Sequence, residues 1–288
     1  MLQNYLSLIK FSHTIFALPF ALVGFFLGVI HTGDDIQAEK LIYVILAMVF
    51  ARSAAMAFNR YADRKIDKAN PRTSTREIAS GIIKPKNALI FIVINVSLFI
   101  FISWLINPLC FALSPVALLV ILGYSYTKRF TSLSHYVLGI GLALSPIGAY
   151  LAVAGQFDLI PVLYSVVVFA WVAGFDIIYS LQDEQFDKSQ KLRSIPTYLG
   201  RKNALFLSTI THIFTAGIMI FAIFLTVNEL APINWLTWLG GIVFVGSLVY
   251  QHLIVKHDDL SRVNLAFFTT NGIASAVFGL CFVLDFFI

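Results

Sequence analysis

The sequence predicts an all-α, multi-pass integral membrane helical bundle of about nine transmembrane helices, and three observations carry that prediction. Apolar residues make up 59% of the 288-residue chain and charged residues only 12%, with a mean hydropathy of +0.84, well above a soluble domain. Apolar stretches of about twenty residues, enough to cross a hydrocarbon core of ~30 Å as helices, recur along the whole length. The basic residues are distributed lopsidedly. With the N-terminus inside, Lys10, the bases from Arg60 to Lys86, Lys128, Arg129, those from Lys188 to Lys202, Lys256 and Arg262 all fall on the inner side. Of the 20 Lys and Arg residues, only Lys40 lies in an outer loop and only Arg52 within a span.

The spans follow in order as 13–31, 41–58, 88–106, 109–126, 136–154, 160–182, 203–226, 233–255 and 264–286. Short connections leave no room for a separate soluble domain, so one transmembrane domain covering 1–288 is expected. The first span is too long for a signal-peptide core and has no small-residue cleavage site after it, which predicts that it is retained. Cys110 and Cys281 both fall in apolar spans and are too few for a disulfide framework, so they are read as packing residues. The formal charge of +5 is a topology signal; its inner basic face suits phosphate-bearing ligands or anionic membrane lipid, and no nucleic-acid motif is present.

The outer loops are short and carry no evident chemistry. Two inner loops differ, 59–87 and 183–202, both long and rich in Asp, Lys and Arg. In the first, "NRYADRKIDK", Asn59, Asp63 and Asp67 project at about 0°, 40° and 80° on a helix, one amide and two carboxylates on one face. Two aspartates one turn apart repel unless a cation lies near them. A hard divalent cation such as Mg²⁺ takes oxygen ligands, commonly one or two carboxylates together with substrate phosphates. Downstream, Arg72 and Arg76 offer forked donors for diphosphate oxygens. Local pairing of the two aspartates with Arg64, Lys65 and Lys68 on a solvated face is the competing explanation.

The second segment, "DIIYSLQDEQFDKSQKLRSIP", places Asp176, Asp183 and Asp187 on a tighter helical stripe flanked by Tyr179. Asp176 lies within an apolar run, where an ionisable group costs roughly 2.5–3.5 kcal/mol on insertion scales and is a functional candidate by default. Its alternative role is an ion pair with Arg52. Lys188, Lys191 and Arg193 follow and again alternate base with acid.

These motifs resemble the UbiA superfamily of intramembrane aromatic prenyltransferases, over essentially the whole chain. The first family motif is matched by Asn59, Asp63, Asp67, Arg72, Thr73, Arg76, Ser80 and Gly81, and the second by Asp176, Tyr179, Asp183 and Asp187. After the fourth span, "YSYTKRFT" supplies Tyr124, Lys128, Arg129 and Thr131 in the family's pattern. Two positions depart from it. The family commonly has Asn-Asp and Arg-Pro where this chain has Asn59-Arg60 and Arg76-Glu77. The branch it looks closest to is 4-hydroxybenzoate polyprenyltransferase-like, including members associated with menaquinone formation by the futalosine route.

The resemblance implies Mg²⁺-dependent transfer of a polyprenyl chain from polyprenyl diphosphate to an aromatic acid in respiratory quinone (ubiquinone or menaquinone) biosynthesis, with 4-hydroxybenzoate-like, naphthoate or futalosine-route acceptors. It implies residence in the cell inner membrane, C-terminus outside, and a site opening at the cytoplasmic side. Asn59, Asp63 and Asp67 would hold one Mg²⁺ and Asp176, Asp183 and Asp187 another. Asp63, Asp67, Asp183 and Asp187 would carry the chemistry. Arg72, Arg76, Lys128, Arg193, Tyr124 and Tyr179 would surround the diphosphate, and Arg129, then Arg52, would meet an acceptor carboxylate. A secondary transporter with an intramembrane acidic site is the reading of another class. His13, Asn264 and Asn271 are expected to serve interfacial or interhelical roles, and "KHDDLSR" to form a solvated turn.

Overall fold

A computed structural model describes residues 2–9 and 16–288, and all regular structure within them is helical. The order is α1 (Leu2–Leu8), α2 (Leu18–Thr32), α3 (Ala38–Ala62), α4 (Arg64–Ala69), α5 (Pro85–Ile106), α6 (Pro108–Thr127) and α7 (Ser134–Ala154). Then come α8 (Leu159–Ser180), α9 (Glu184–Ser189), α10 (Ile195–Glu229), α11 (Trp235–Ile254) and α12 (Asn271–Phe287), the last preceded by a π-helical turn over Leu265–Thr270. Eight of the described helical segments are long and apolar enough to cross a membrane. The expected count of nine is not met on that criterion. Expected span 13–31 appears within the described residues as the apolar α2, whose 15 residues extend about 22 Å; positions 13–15 of that span lie outside them. Lys10 and His13 lie outside the described residues.

Punctuation in the sequence explains the ends. Pro85 and Pro108 open α5 and α6, where a missing N–H costs nothing. The Asn107 side chain accepts from the Cys110 N–H at 2.8 Å, and Asp158 caps α8 likewise at 3.1 Å. Ser194 and Thr197 form a capping box that starts α10 immediately after the second acidic segment. Five residues later Gly200 takes φ 75°, a conformation L side chains rarely adopt, and breaks α10 from its short first turn.

The core lies between α2, α7, α8, α11 and α12. Trp171 of α8 is fully buried against Phe20 and Phe244, with ring centroids 5.5 and 5.3 Å away. Its indole N–H donates to Asn271 Oδ1 at 2.9 Å, and Gln251 donates to the same oxygen at 2.7 Å. Asn271 thus takes the interhelical role expected of it. Asn264 does not share its burial, because the intervening π turn rotates the register between them and leaves Asn264 exposed. Helix α2 closes on α7 where Gly24 faces the backbone carbonyl of Pro146; a Cβ there would stand 2.0 Å from that oxygen. On the other side α3 packs on α5 and α6, and the space between the two halves is a cavity of about 880 Å³.

Candidate active site

Neither acidic segment is one continuous helix. α3 ends at Ala62, Asp63 takes φ −92° and ψ 5°, and α4 restarts at Arg64, although the Asp63 N–H still donates to the Asn59 carbonyl at 2.9 Å and the Asp67 N–H to the Asp63 carbonyl at 2.8 Å. α8 likewise ends at Ser180, passes through a 3₁₀ turn over Leu181–Asp183 and resumes as α9, which carries Asp187. Of the acidic residues in the two segments, Asp176 and Glu77 line the cavity itself. Asp63 and Asp67 are buried despite their charge, so their partners decide whether the fold tolerates them.

Those partners come from the end of α6 and from farther along the same loop rather than from Lys65 and Lys68. Lys128 Nζ lies 2.9 Å from Asp63 Oδ2, and Arg129 donates to Asp63 Oδ1 at 3.3 Å and to the Ala62 carbonyl at 2.9 Å. Arg76 donates to Asp67 Oδ1 at 2.8 Å, while Asp67 Oδ2 is buried without a hydrogen-bond partner. Arg64 donates to the Tyr61 carbonyl and rests over the Tyr61 ring. Local pairing therefore does not explain the first cluster.

Arg72 joins the two segments. Its guanidinium grips Asp183 through two donors, Nε at 2.9 Å to Oδ1 and Nη2 to Oδ2, and Nη1 donates to the Tyr179 hydroxyl at 3.0 Å. Asn70 adds a donor to Asp183 Oδ1 at 3.3 Å. Burial opposes the Arg72 charge, yet the Asp183 carboxylate and Tyr179 outweigh it and hold the guanidinium above its ordinary range. Arg193 turns its side chain to the Phe130 carbonyl at 2.7 Å and its backbone N–H to the Lys128 carbonyl, which pins the second inner loop to the end of α6. Lys188 pairs with Glu184 at 2.7 Å.

Asp176 pairs with a residue the sequence reading passed over. His135, buried in the first turn of α7, has Nδ1 2.7 Å from Asp176 Oδ2, and its Nε2 accepts from the Ile195 N–H at 3.4 Å. The two bonds fix the tautomer, with the proton on Nδ1 directed at Asp176. The alternative Asp176–Arg52 pair is not formed. The available signal for His135 was a lone histidine six residues beyond the Lys128-Arg129 pair, at the inner end of a span, and helical periodicity gives it no chemistry.

The cavity's polar end is lined by Asn59, Arg72, Arg76, Tyr124, Asp176 and Tyr179. Asn59 donates to Ser125 at 3.5 Å. Two turns along α3 from Asn59, about 10 Å, Arg52 also lines the cavity among apolar neighbours, with its Nε buried and unpartnered. Arg129, half-exposed and turned to Asp63, is not among the lining residues. Among the described residues no three acidic or histidine groups converge as a ready-made metal cage. The donor set nonetheless suits a hard cation, being carboxylate and amide oxygen with one orphaned buried oxygen on Asp67. Asp259 accepts from the Ser261 N–H at 2.9 Å in the exposed turn expected at 256–262.

Comparisons with known proteins agree on one family. The model of the UbiA prenyltransferase family matches residues 17–273. A protein of Nitrosomonas europaea named 4-hydroxybenzoate octaprenyltransferase is 31% identical over 252 residues, covering 83% of this chain and 80% of its own. The solved apo structure of a UbiA homolog from Aeropyrum pernix K1 superposes with a TM-score of 0.84 at 31% identity, covering 95% of this chain and 98% of that one. A UbiA homolog from Archaeoglobus fulgidus bound to GPP and Mg²⁺ shares the fold, with a TM-score of 0.74 at 18% identity over 99% of this chain and all of that one.

Proposed function

The chain belongs to the UbiA prenyltransferase family, a multi-pass membrane enzyme class, and from that premise we propose that it transfers a polyprenyl chain from polyprenyl diphosphate to an aromatic acid of the 4-hydroxybenzoate type. The reaction serves respiratory quinone biosynthesis and depends on Mg²⁺. The observation that carries the reading is the meeting of the two acidic segments, joined by Arg72 and Asp183, at the polar end of an otherwise apolar cavity of about 880 Å³. Support for the acceptor class comes from the name of the Nitrosomonas relative, and for a divalent metal from the Mg²⁺ held by the Archaeoglobus homolog. The transporter reading falls with family membership.

Asn59, Asp63 and Asp67 on one segment, and Asp176, Asp183 and Asp187 on the other, would hold Mg²⁺. When bound, Mg²⁺ supplies Lewis-acid stabilisation of the diphosphate as negative charge grows on it. Arg72, Arg76, Lys128 and Arg193 give the leaving group preorganised positive charge, which acts more strongly on the transition state than on the ground state. Arg72 and Arg76 line the cavity and already sit on carboxylates, so their side chains are held there before a phosphate oxygen replaces the carboxylate oxygen, and Lys128 is held beside them on Asp63. Tyr124 and Tyr179 line the same end. The apolar walls keep water from the allylic cation that forms as the C–O bond lengthens. Arg52 suits the acceptor carboxylate better than Arg129, because it lines the cavity and has a donor unspent in an apolar setting.

An assay of the purified protein with Mg²⁺, labelled polyprenyl diphosphate and a panel of aromatic acids, including 4-hydroxybenzoate and naphthoates, tests the reading. Prenylated 4-hydroxybenzoate, lost on chelation with EDTA, is expected. No prenylated product with any acid overturns the function, and product insensitive to EDTA overturns the metal requirement.

A further inference from the structure

Arg60 and Glu77 are the two residues of the first acidic segment that depart from the family pattern, and they face one another. Arg60 Nη1 lies 3.3 Å from Glu77 Oε2, both side chains being buried. The other Glu77 oxygen accepts from the Ser7 hydroxyl of α1. Glu77 directly follows Arg76 in the chain, and Arg76 holds Asp67 Oδ1 at 2.8 Å, so the Arg60–Glu77 pair and the Arg76–Asp67 pair are neighbours. Asp67 is 4% exposed, with Oδ1 held by Arg76 and Oδ2 without a hydrogen-bond partner. A buried guanidinium with five donors near an unpartnered carboxylate oxygen would ordinarily take it, because that bond is charge-assisted and the unpaired oxygen is costly. Here Arg60 directs Nη1 to Glu77 instead.

We propose that Glu77 is a positioning residue that holds Arg60 off Asp67, keeping Asp67 Oδ2 available as an oxygen ligand for a divalent cation, and that Ser7 fixes Glu77 in that role. This rests on the metal reading given above. The consequence has a sign that an ordinary buried ion pair lacks. Removing the Glu77 charge frees Arg60 to occupy Asp67 and weakens cation binding. Removing the Arg60 charge leaves an extra carboxylate beside the site and does not weaken it. A pair that only stabilised the fold would lose stability from either side alike.

The test is Mn²⁺ titration of the purified full-length protein in detergent, without substrate, with free Mn²⁺ read by electron paramagnetic resonance and Tm measured in parallel. Glu77→Gln is expected to raise the Mn²⁺ dissociation constant about tenfold, the scale of losses from residues that orient metal ligands. Arg60→Gln should leave it unchanged or lower it, and the double variant should return to within about threefold of the parent, since Arg60 is then no longer free to compete. Equal weakening by both single variants, no shift in Glu77→Gln, or a double variant as weak as Glu77→Gln overturns the proposal. Should Glu77→Gln not fold, Ser7→Ala replaces it: a smaller rise in the same direction supports the proposal and an unchanged constant overturns it. A parent protein that binds no Mn²⁺ at millimolar concentration instead overturns the metal reading itself.

Discussion

At the scale of single residues, the site is a set of charges held where they would not remain alone. Asp63 and Asp67 are nearly inaccessible, and each has a base on it, Lys128 from the end of α6 for Asp63 and Arg76 from farther along the same loop for Asp67. Arg72 is the most demanding of these contacts, since its planar fork meets both Asp183 oxygens and Tyr179 at once. Arg72→Lys keeps the charge and loses the fork, so kcat/KM should fall by about one to two orders of magnitude, the worth of a charge-assisted hydrogen bond of about 1.5–3 kcal/mol, while Tm changes little. Arg52→Gln makes a different prediction. The KM for an aromatic acid should rise about tenfold or more, with the KM for the polyprenyl diphosphate nearly unchanged, because Arg52 lies along the cavity wall away from the acidic end. Steady-state kinetics with each substrate varied in turn separates the two. Asn59, Asp63, Asp67, Asp183 and Asp187 were picked out as candidates by residue type and spacing. His135, Asn70 and Ser125 were not, since each matters through a partner 41 or more positions away.

At the scale of elements, helix spacing located the acidic segments and misjudged their shape. The stripes assumed unbroken helices, whereas α3 breaks at Asp63 and α8 after Ser180. No Gly or Pro marks either break, so the sequence carries no local stop signal there; the pairing of Asp63 with Lys128 and of Asp183 with Arg72 accompanies the turns instead. The α2–α7 contact shows a similar limit. Gly24 looks like one more small residue in an apolar run, yet its missing Cβ is what allows α2 to approach the Pro146 carbonyl. Gly24→Val should destabilise the folded protein by about 1–3 kcal/mol or more through overpacking, read as a lowered Tm in detergent, whereas a Gly at an open position such as Gly217 should tolerate Ala. At the far end of the molecule, Asp285 of α12 accepts from the Asn234 and Thr237 N–H groups and the Thr237 hydroxyl, capping α11 from another helix. Asp285→Ala should cost about 1–3 kcal/mol by leaving buried donors unsatisfied, on the same Tm measurement.

At the scale of the whole molecule, the charge distribution makes a topological prediction. With the basic loops inside, a cysteine at Asp35 should be labelled by an impermeant thiol reagent from outside, and one at Ser261 only after the membrane is opened; the reverse pattern would invert the proposed orientation. Both positions are exposed, and the native cysteines lie in apolar helices, so they add little background. Hydropathy and short motif spacings are local properties of a chain, and they were enough to read the membrane class, the all-helical architecture and the family's motifs from the residues alone. Which base meets which acid, the seat of Asp176 on His135, and the place of Arg52 rather than Arg129 on the cavity wall emerge from the packed helices. So does the pairing of Arg60 with Glu77. Those are long-range contacts across a bundle, and their free energy depends on burial and mutual geometry, which no stretch of sequence encodes alone.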